Sequence, residues 1–127
     1  MERREIKFRG IPIDKEKFIY GFLNKPFDDV TQIIEKIPSN ASQMTLIVNG
    51  SEGQFTGLLD VNGREIYEGD IVDGVSFNGI SDLGKVVYLE NSFVIIPLFK
   101  SISGKSVNFK KCRVMNNIYG LKIWYGK

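Results

Sequence analysis

Fifteen carboxylates, one thiol and no histidine are what this chain of 127 residues offers to chemistry. Without histidine the commonest general base and metal ligand is missing. Ser–His and Cys–His nucleophile pairs are therefore impossible, and a Cys/His zinc cluster cannot be built on Cys112 alone. Carboxylate pairs remain: Asp70 with Asp73, or Glu65 with Glu68. Acid–base work needs two such groups converging on one cleft, which a spacing of three on a strand or turn does not assure. "SGKS" (Ser103–Ser106) resembles the end of a phosphate-binding loop. However, the glycine required five residues before Gly104 is Phe99, and "VNFKKCRV" reads as a strand where a helix should follow. Gly104 thus reads as a hairpin turn. Cys112 lies between Lys111 and Arg113, whose charges could lower its pKa; the alternative is a buried, inert thiol. The expectation is a protein that is not an enzyme, with no catalytic residue, cofactor or metal.

Charge is unevenly spread. From Phe55 to Glu90 there are seven acids and two bases, whereas Asn91 to Lys127 holds seven bases and no acid. The basic residues are interleaved with Phe99, Phe109, Tyr119, Trp124 and Tyr125, and basic strands with exposed aromatics can grip single-stranded nucleic acid. Lys110, Lys111 and Arg113 are the candidates for such contacts. Two other readings stand beside it: core aromatics with solvated lysines, or a basic segment lying against the acidic one. The net charge of +2 favours no partner class. A single cysteine points to a reducing compartment. The charged start "MERREIKFRG" lacks the apolar run of a signal peptide, and no apolar stretch approaches the ~20 residues of a membrane helix. A cytoplasmic protein without membrane association is expected.

These side chains must be positioned by short strands. "REIKFRG" alternates, with Ile6 and Phe8 on one side and Lys7 and Arg9 on the other. "KFIYGFL" carries Phe18, Tyr20 and Phe22 on one face, and the two segments pair as a hairpin. Between Pro26 and Pro38, Val30, Ile33, Ile34 and Ile37 form a helical stripe with Asp28 or Asp29 as cap and Pro38 as stop. Their β-branched side chains suit a strand equally, and the expectation is a short helix. "MTLIV" is a further strand. "GQFTGLLDVNGREIYEGDIV" (Gly53–Val72) is the most patterned stretch. Its Asn62-Gly63 pair predicts a tight hairpin turn, followed by a second turn at Glu68–Asp70. Asp60 and Asp70 suit the capping of turn N–H groups, and Phe55 and Tyr67 suit packing across the hairpin. A loop rich in Gly, Ser and Asn precedes "GKVVYLE", "SFVIIPLF", "SVNFKKCRV" and "NNIYG", and regular short strands of this kind favour a small barrel or sandwich. The closing "GLKIWYGK" reads as a strand that completes the sheet or adds to a neighbour's edge.

"REIKFRG", "YGFL", "GQFTGLLDVNGREIYEGDIV", "GKVVYLENSFVI" and "NNIYG", in that order, resemble the YopX family of bacteriophage and prophage proteins. The chain departs from the family pattern at "GIPID" and "NNIYGLKIWYGK". The resemblance implies a mainly β fold: an N-terminal β-rich subdomain with one short helix, then a small SH3-like barrel. As one YopX-like domain over 1–127, this means a hairpin-and-helix lobe over 1–52 and a barrel lobe over 53–127. Its signature residues Gln54, Gly57, Asn62, Gly63, Tyr67, Gly69 and Asp70 are expected to serve structure, with ligand contact by Asp70 as the alternative. The resemblance implies a phage or prophage accessory protein in a bacterial cell. The expected role is non-enzymatic binding or assembly, with its own copies or a host or phage protein as partner. Nucleic-acid binding through the basic C-terminal strands is the second reading, and a carboxylate-based enzyme the third.

Overall fold

The computed structural model describes residues 6–37, 41–99 and 102–115. The expected strands at "NNIYG" and "GLKIWYGK" lie outside them. Six strands form the first antiparallel sheet: β1 (Phe8–Gly10), β2 (Ile19–Phe27), β3 (Val30–Ile37), β4 (Ala41–Leu46), β5 (Gly53–Leu59) and β6 (Glu65–Tyr67), in the order β4-β3-β2-β1-β5-β6. The second sheet holds β7 (Ile71–Phe77), β8 (Ile80–Leu89), β9 (Ser92–Pro97) and β10 (Arg113–Val114), in the order β10-β7-β8-β9. Neither sheet closes into a barrel. Because β1 pairs with both β2 and β5, the changeover between sheets falls at Glu68–Asp70, later than the expected lobe boundary at 52/53. Among the described residues no helix is long and apolar enough to cross a membrane.

The short helix expected over Pro26–Pro38 is a hairpin instead. Phe27 pairs with Val30 across Asp28-Asp29, and β3 is held on both sides, by β2 and by β4. Thr31 and Ile33 are buried while Gln32 and Ile34 are half-buried, which is the period of a strand. The β-branched run prefers this pleated setting, so the helical spacing is a coincidence of adjacent isoleucines. Pro26, which has no N–H to donate, sits in the irregularity between Asn24 and Phe27.

Three further expectations are corrected. The supposed loop before "GKVVYLE" is the β7–β8 hairpin, turned by Asn78-Gly79 with both residues at positive φ (52° and 83°), the geometry that matches strand twist. "SVNFKKCRV" is not a continuous strand. Ser106 bridges Ile95, Phe109–Lys111 form one 3-10 turn, and only Arg113–Val114 pair with β7. Finally, the β5–β6 turn centres on Val61-Asn62 rather than Asn62-Gly63: the Gly63 N–H donates to the Asp60 carbonyl at 3.0 Å. Asn62 keeps a negative φ and Gly63 alone is left-handed, at 81°.

The principal core lies over the second sheet. Ile66, Val72, Val75, Phe77, Val86 and Ile95 are joined there by Phe109, Cys112 and Val114 from the C-terminal segment. The first sheet contributes a smaller buried set, Ile11, Ile33 and Ile47, where Pro12 bridges Ile47 beyond the end of β4. Gly74 breaks the β7–β8 register between Val72 and Val75 and lets the C-terminal segment approach. A Cβ there would lie 2.6 Å from the Lys111 carbonyl oxygen, at a φ of 82°. At Gly63 the φ is similar, but a Cβ would meet nothing within 4 Å. Gly63→Ala should therefore cost only left-handed strain, about 1 kcal/mol. Gly74→Ala should cost clearly more, about 3 kcal/mol, because strain and collision add. Urea denaturation of both variants checks this, and equal losses would contradict the close approach.

Candidate functional site

Arg9 is the centre of the polar site. Strand alternation places it beside Tyr20 and Gly53, its partners on β2 and β5. The alternation left open which side is inner; Ile6 is 62% exposed and Arg9 only 4%. Its guanidinium carbon lies 3.9 Å from the centre of the Phe18 ring and 5.0 Å from that of Tyr67, a cation held between aromatic faces. Nη1 meets Asp70 Oδ1 at 2.7 Å. Nη2 donates to the Glu68 carbonyl at 3.5 Å, while buried Nε finds no acceptor among the described residues.

Asp70 works in two directions. Its Oδ2 accepts the Tyr67 N–H at 2.7 Å, capping the Glu68-Gly69 turn, and its own N–H returns to the Tyr67 carbonyl at 3.0 Å. Burial pushes the Asp70 carboxyl up, against the pull of Arg9 and the Tyr67 N–H. Val86 then exchanges backbone bonds with Gly69 and Asp70, at 2.7 and 2.9 Å, so this one turn joins the two sheets. Tyr67 packs against Phe55 and Tyr20, each with ring centres 5.4 Å apart. Its hydroxyl donates to Glu65 at 3.0 Å. Burial, reinforced by Glu65, raises its pKa well above the ordinary phenol value, so it stays protonated. Glu65 also receives Lys7 at 2.7 Å.

A cavity of about 250 Å³ opens here, lined by Arg9, Tyr20, Arg64, Glu65, Tyr67 and Asp70. The carboxylate pairs considered from spacing do not converge. Asp70 lines this cavity, but Asp73 lines a depression on β7 and binds Arg113. Glu65 lines it, but Glu68 faces a second hollow, of about 150 Å³, on the other side of Arg9. Among the described residues no cluster of three or more Cys, Asp or Glu is placed to hold a metal.

The remaining signature residues are structural in placement. The Gln54 backbone carbonyl accepts the Glu68 N–H at 2.9 Å, and Gly57 lies in the irregularity between Phe55 and Leu59. Asn62 and Gly63 form the turn below Asp60. Buried Asp60 accepts the N–H groups of Asn62, Arg64 and Val114 at 2.8, 2.9 and 2.8 Å. Burial opposes its ionisation, but the bonds from Val114, Arg64 and Asn62 prevail and hold its pKa below the ordinary 3.8. Cys112 is fully buried and donates to the Phe109 carbonyl at 3.1 Å; burial raises its pKa to about 11, so the neighbouring cations do not activate it. Of the basic candidates, Lys111 is exposed, Arg113 forks onto Asp73, and the Lys110 side chain lies outside the described part. The Arg113–Asp73 pair matches the reading in which basic and acidic segments meet.

A second feature is the outer face of the first sheet. Phe22, Ile34 and Met44 stand in one cross-strand row, with Tyr20 and Leu46 on the same face. Tyr20, Phe22, Met44 and Leu46 are 41, 50, 60 and 48% exposed. The aromatic alternation of β2 was readable from the sequence; its exposure was not, because alternation does not say which side meets solvent.

Two measurements test the polar site. Arg9→Met and Asp70→Leu should each cost about 3–5 kcal/mol by stranding a buried charge, and the double variant should cost much less than their sum. Additive losses would mean the two groups are uncoupled. Asp60→Asn should cost about 2 kcal/mol at neutral pH, since an amide cannot accept on both sides. Because the folded pKa is depressed, Asp60 contributes fully above the unfolded value near ~3.9 and loses its contribution as pH falls through the folded value. The stability gap between the native protein and Asp60→Asn should therefore narrow below about pH 4; a constant gap in denaturation midpoints would rule this out.

The family model described as YopX protein matches residues 7–120. No curated protein matches the chain.

Proposed function

The chain belongs to the YopX family, and we propose that it is a non-enzymatic accessory protein of phage type that acts as a self-associating binding or assembly module. The observation that carries this reading is the exposed row on the first sheet. Contiguous apolar faces of this kind are uncommon on monomers and mark interaction sites. The adjoining edge strand supports the same partner. β4, "ASQMTL", contains no charge and no proline, the devices that normally protect an edge from pairing. A second copy presents the same face and edge, so a two-fold contact between copies satisfies both at once.

We read the second sheet as an open relative of the SH3-like barrel. Its last strand returns beside its first after a 3-10 turn, and Ser106 bridges Ile95 where a further strand would pair. In this reading the sheet stabilises the module while the first sheet makes the contact, inside a bacterial cell that carries the phage or prophage.

Light scattering after size exclusion tests the proposal. The protein should elute at a multiple of its 14.4 kDa chain mass. Phe22→Glu and Met44→Glu should return it to one chain mass, with an unchanged circular dichroism spectrum because both sites are exposed. A native protein of single-chain mass at high micromolar concentration would sink the reading.

A further inference from the structure

We propose that the cavity beside Arg9 is a binding site for a carboxylate carried on a planar or apolar body. Each acid in the cavity already has its partners. Asp70 is held by Arg9 at 2.7 Å and by the Tyr67 N–H. Glu65 is held by Lys7 at 2.7 Å and by the Tyr67 hydroxyl. These contacts give each acid a cation and a hydrogen-bond donor. Arg64 is different. It also lines the cavity, its side chain reaches only the Val114 carbonyl, at 3.4 Å, and it forms no ion pair among the described residues. Arg64 feels the charges of Asp70 and Asp60 but makes no direct ion pair with either among the described residues, so its guanidinium lines the opening with donors that match a carboxylate in a forked pair.

The rest of the cavity limits what else fits. Tyr20 offers a hydroxyl with no partner among the described residues, and its ring is tilted 57° to that of Tyr67, making an aromatic notch. The buried Tyr67 hydroxyl is already used as a donor. A singly charged carboxylate adds less negative charge beside Asp70 and Glu65 than a dianionic phosphate would. A volume of about 250 Å³ admits a single ring or one amino-acid side chain rather than an extended ligand. The carboxylate could belong to a free small molecule or to a protein terminus.

The test is a titration of the full chain by nuclear magnetic resonance at neutral pH and low salt. The probes are benzoate, N-acetyl-phenylalanine as the mimic of a protein terminus, and benzamide as the neutral isostere. Saturable shifts of the Tyr20 and Tyr67 ring signals are expected with one or both carboxylates, with benzamide weaker by about ten-fold or more. Tighter binding of benzoate assigns the site to small carboxylates, and tighter binding of N-acetyl-phenylalanine assigns it to a protein terminus. Arg64→Gln should weaken binding by about ten-fold. Tyr20→Phe should weaken it less, and Lys111→Gln not at all. Phe22→Glu should retain binding, which separates this site from self-association. Equal binding of benzamide, absence of saturation with both carboxylates, or an Arg64→Gln variant that binds normally would overturn the assignment.

Discussion

Arg9 carries a full charge into a site where it is only 4% exposed, and Asp70 is the group that makes this tolerable. Desolvating both ions is expensive, and the cost is offset only while their geometry is kept. The pair thereby sets conditions on everything around it. β1 must lie between β2 and β5, so that Arg9 emerges between Phe18 and Tyr67. The turn after β6 must hold Asp70 at the right height, which its bond from the Tyr67 N–H ensures. The same turn then delivers the backbone to Val86 and starts the second sheet. An ion pair of modest net worth thus fixes how one sheet is joined to the other.

Asp60 repeats the device without a cation. One carboxylate oxygen closes its own turn, and the other receives Val114 from the far end of the chain. The Val61 N–H adds a bond to the Cys112 carbonyl at 3.0 Å. Both aspartates of the signature stretch therefore spend one oxygen locally and one on another element. This double use explains why the stretch is so patterned.

Much of this was legible in the sequence. The pairing of Phe55 with Tyr67, the capping roles of Asp60 and Asp70 and the first hairpin all follow from alternation and turn chemistry. What alternation cannot supply is the identity of the inner side. It grouped Lys7 with Arg9 correctly, yet Arg9 is buried because aromatic rings and one acid from distant segments enclose it. Over Val30–Ile37 two periods fitted the same residues, and pairing on both sides with β2 and β4 decided between them. The segment Ser106–Val114 alternates well enough for a strand, but only its ends find a partner. The apolar outer face was half legible: the row of aromatics on β2 was evident, and the register that aligns it with Ile34 and Met44 is a tertiary fact.

The central position of β1 also bears on how the molecule comes into being. β1 is synthesised well before its second neighbour, β5, and before Asp70, the acid that Arg9 requires. Until Asp70 emerges, a guanidinium enclosed by the early hairpin would lack its counterion, so that hairpin is best kept open and hydrated. The three-residue strand β1 thus acts as a delay. It couples completion of the amino-terminal sheet to synthesis of the turn that begins the second, and makes the two halves mature together rather than in sequence.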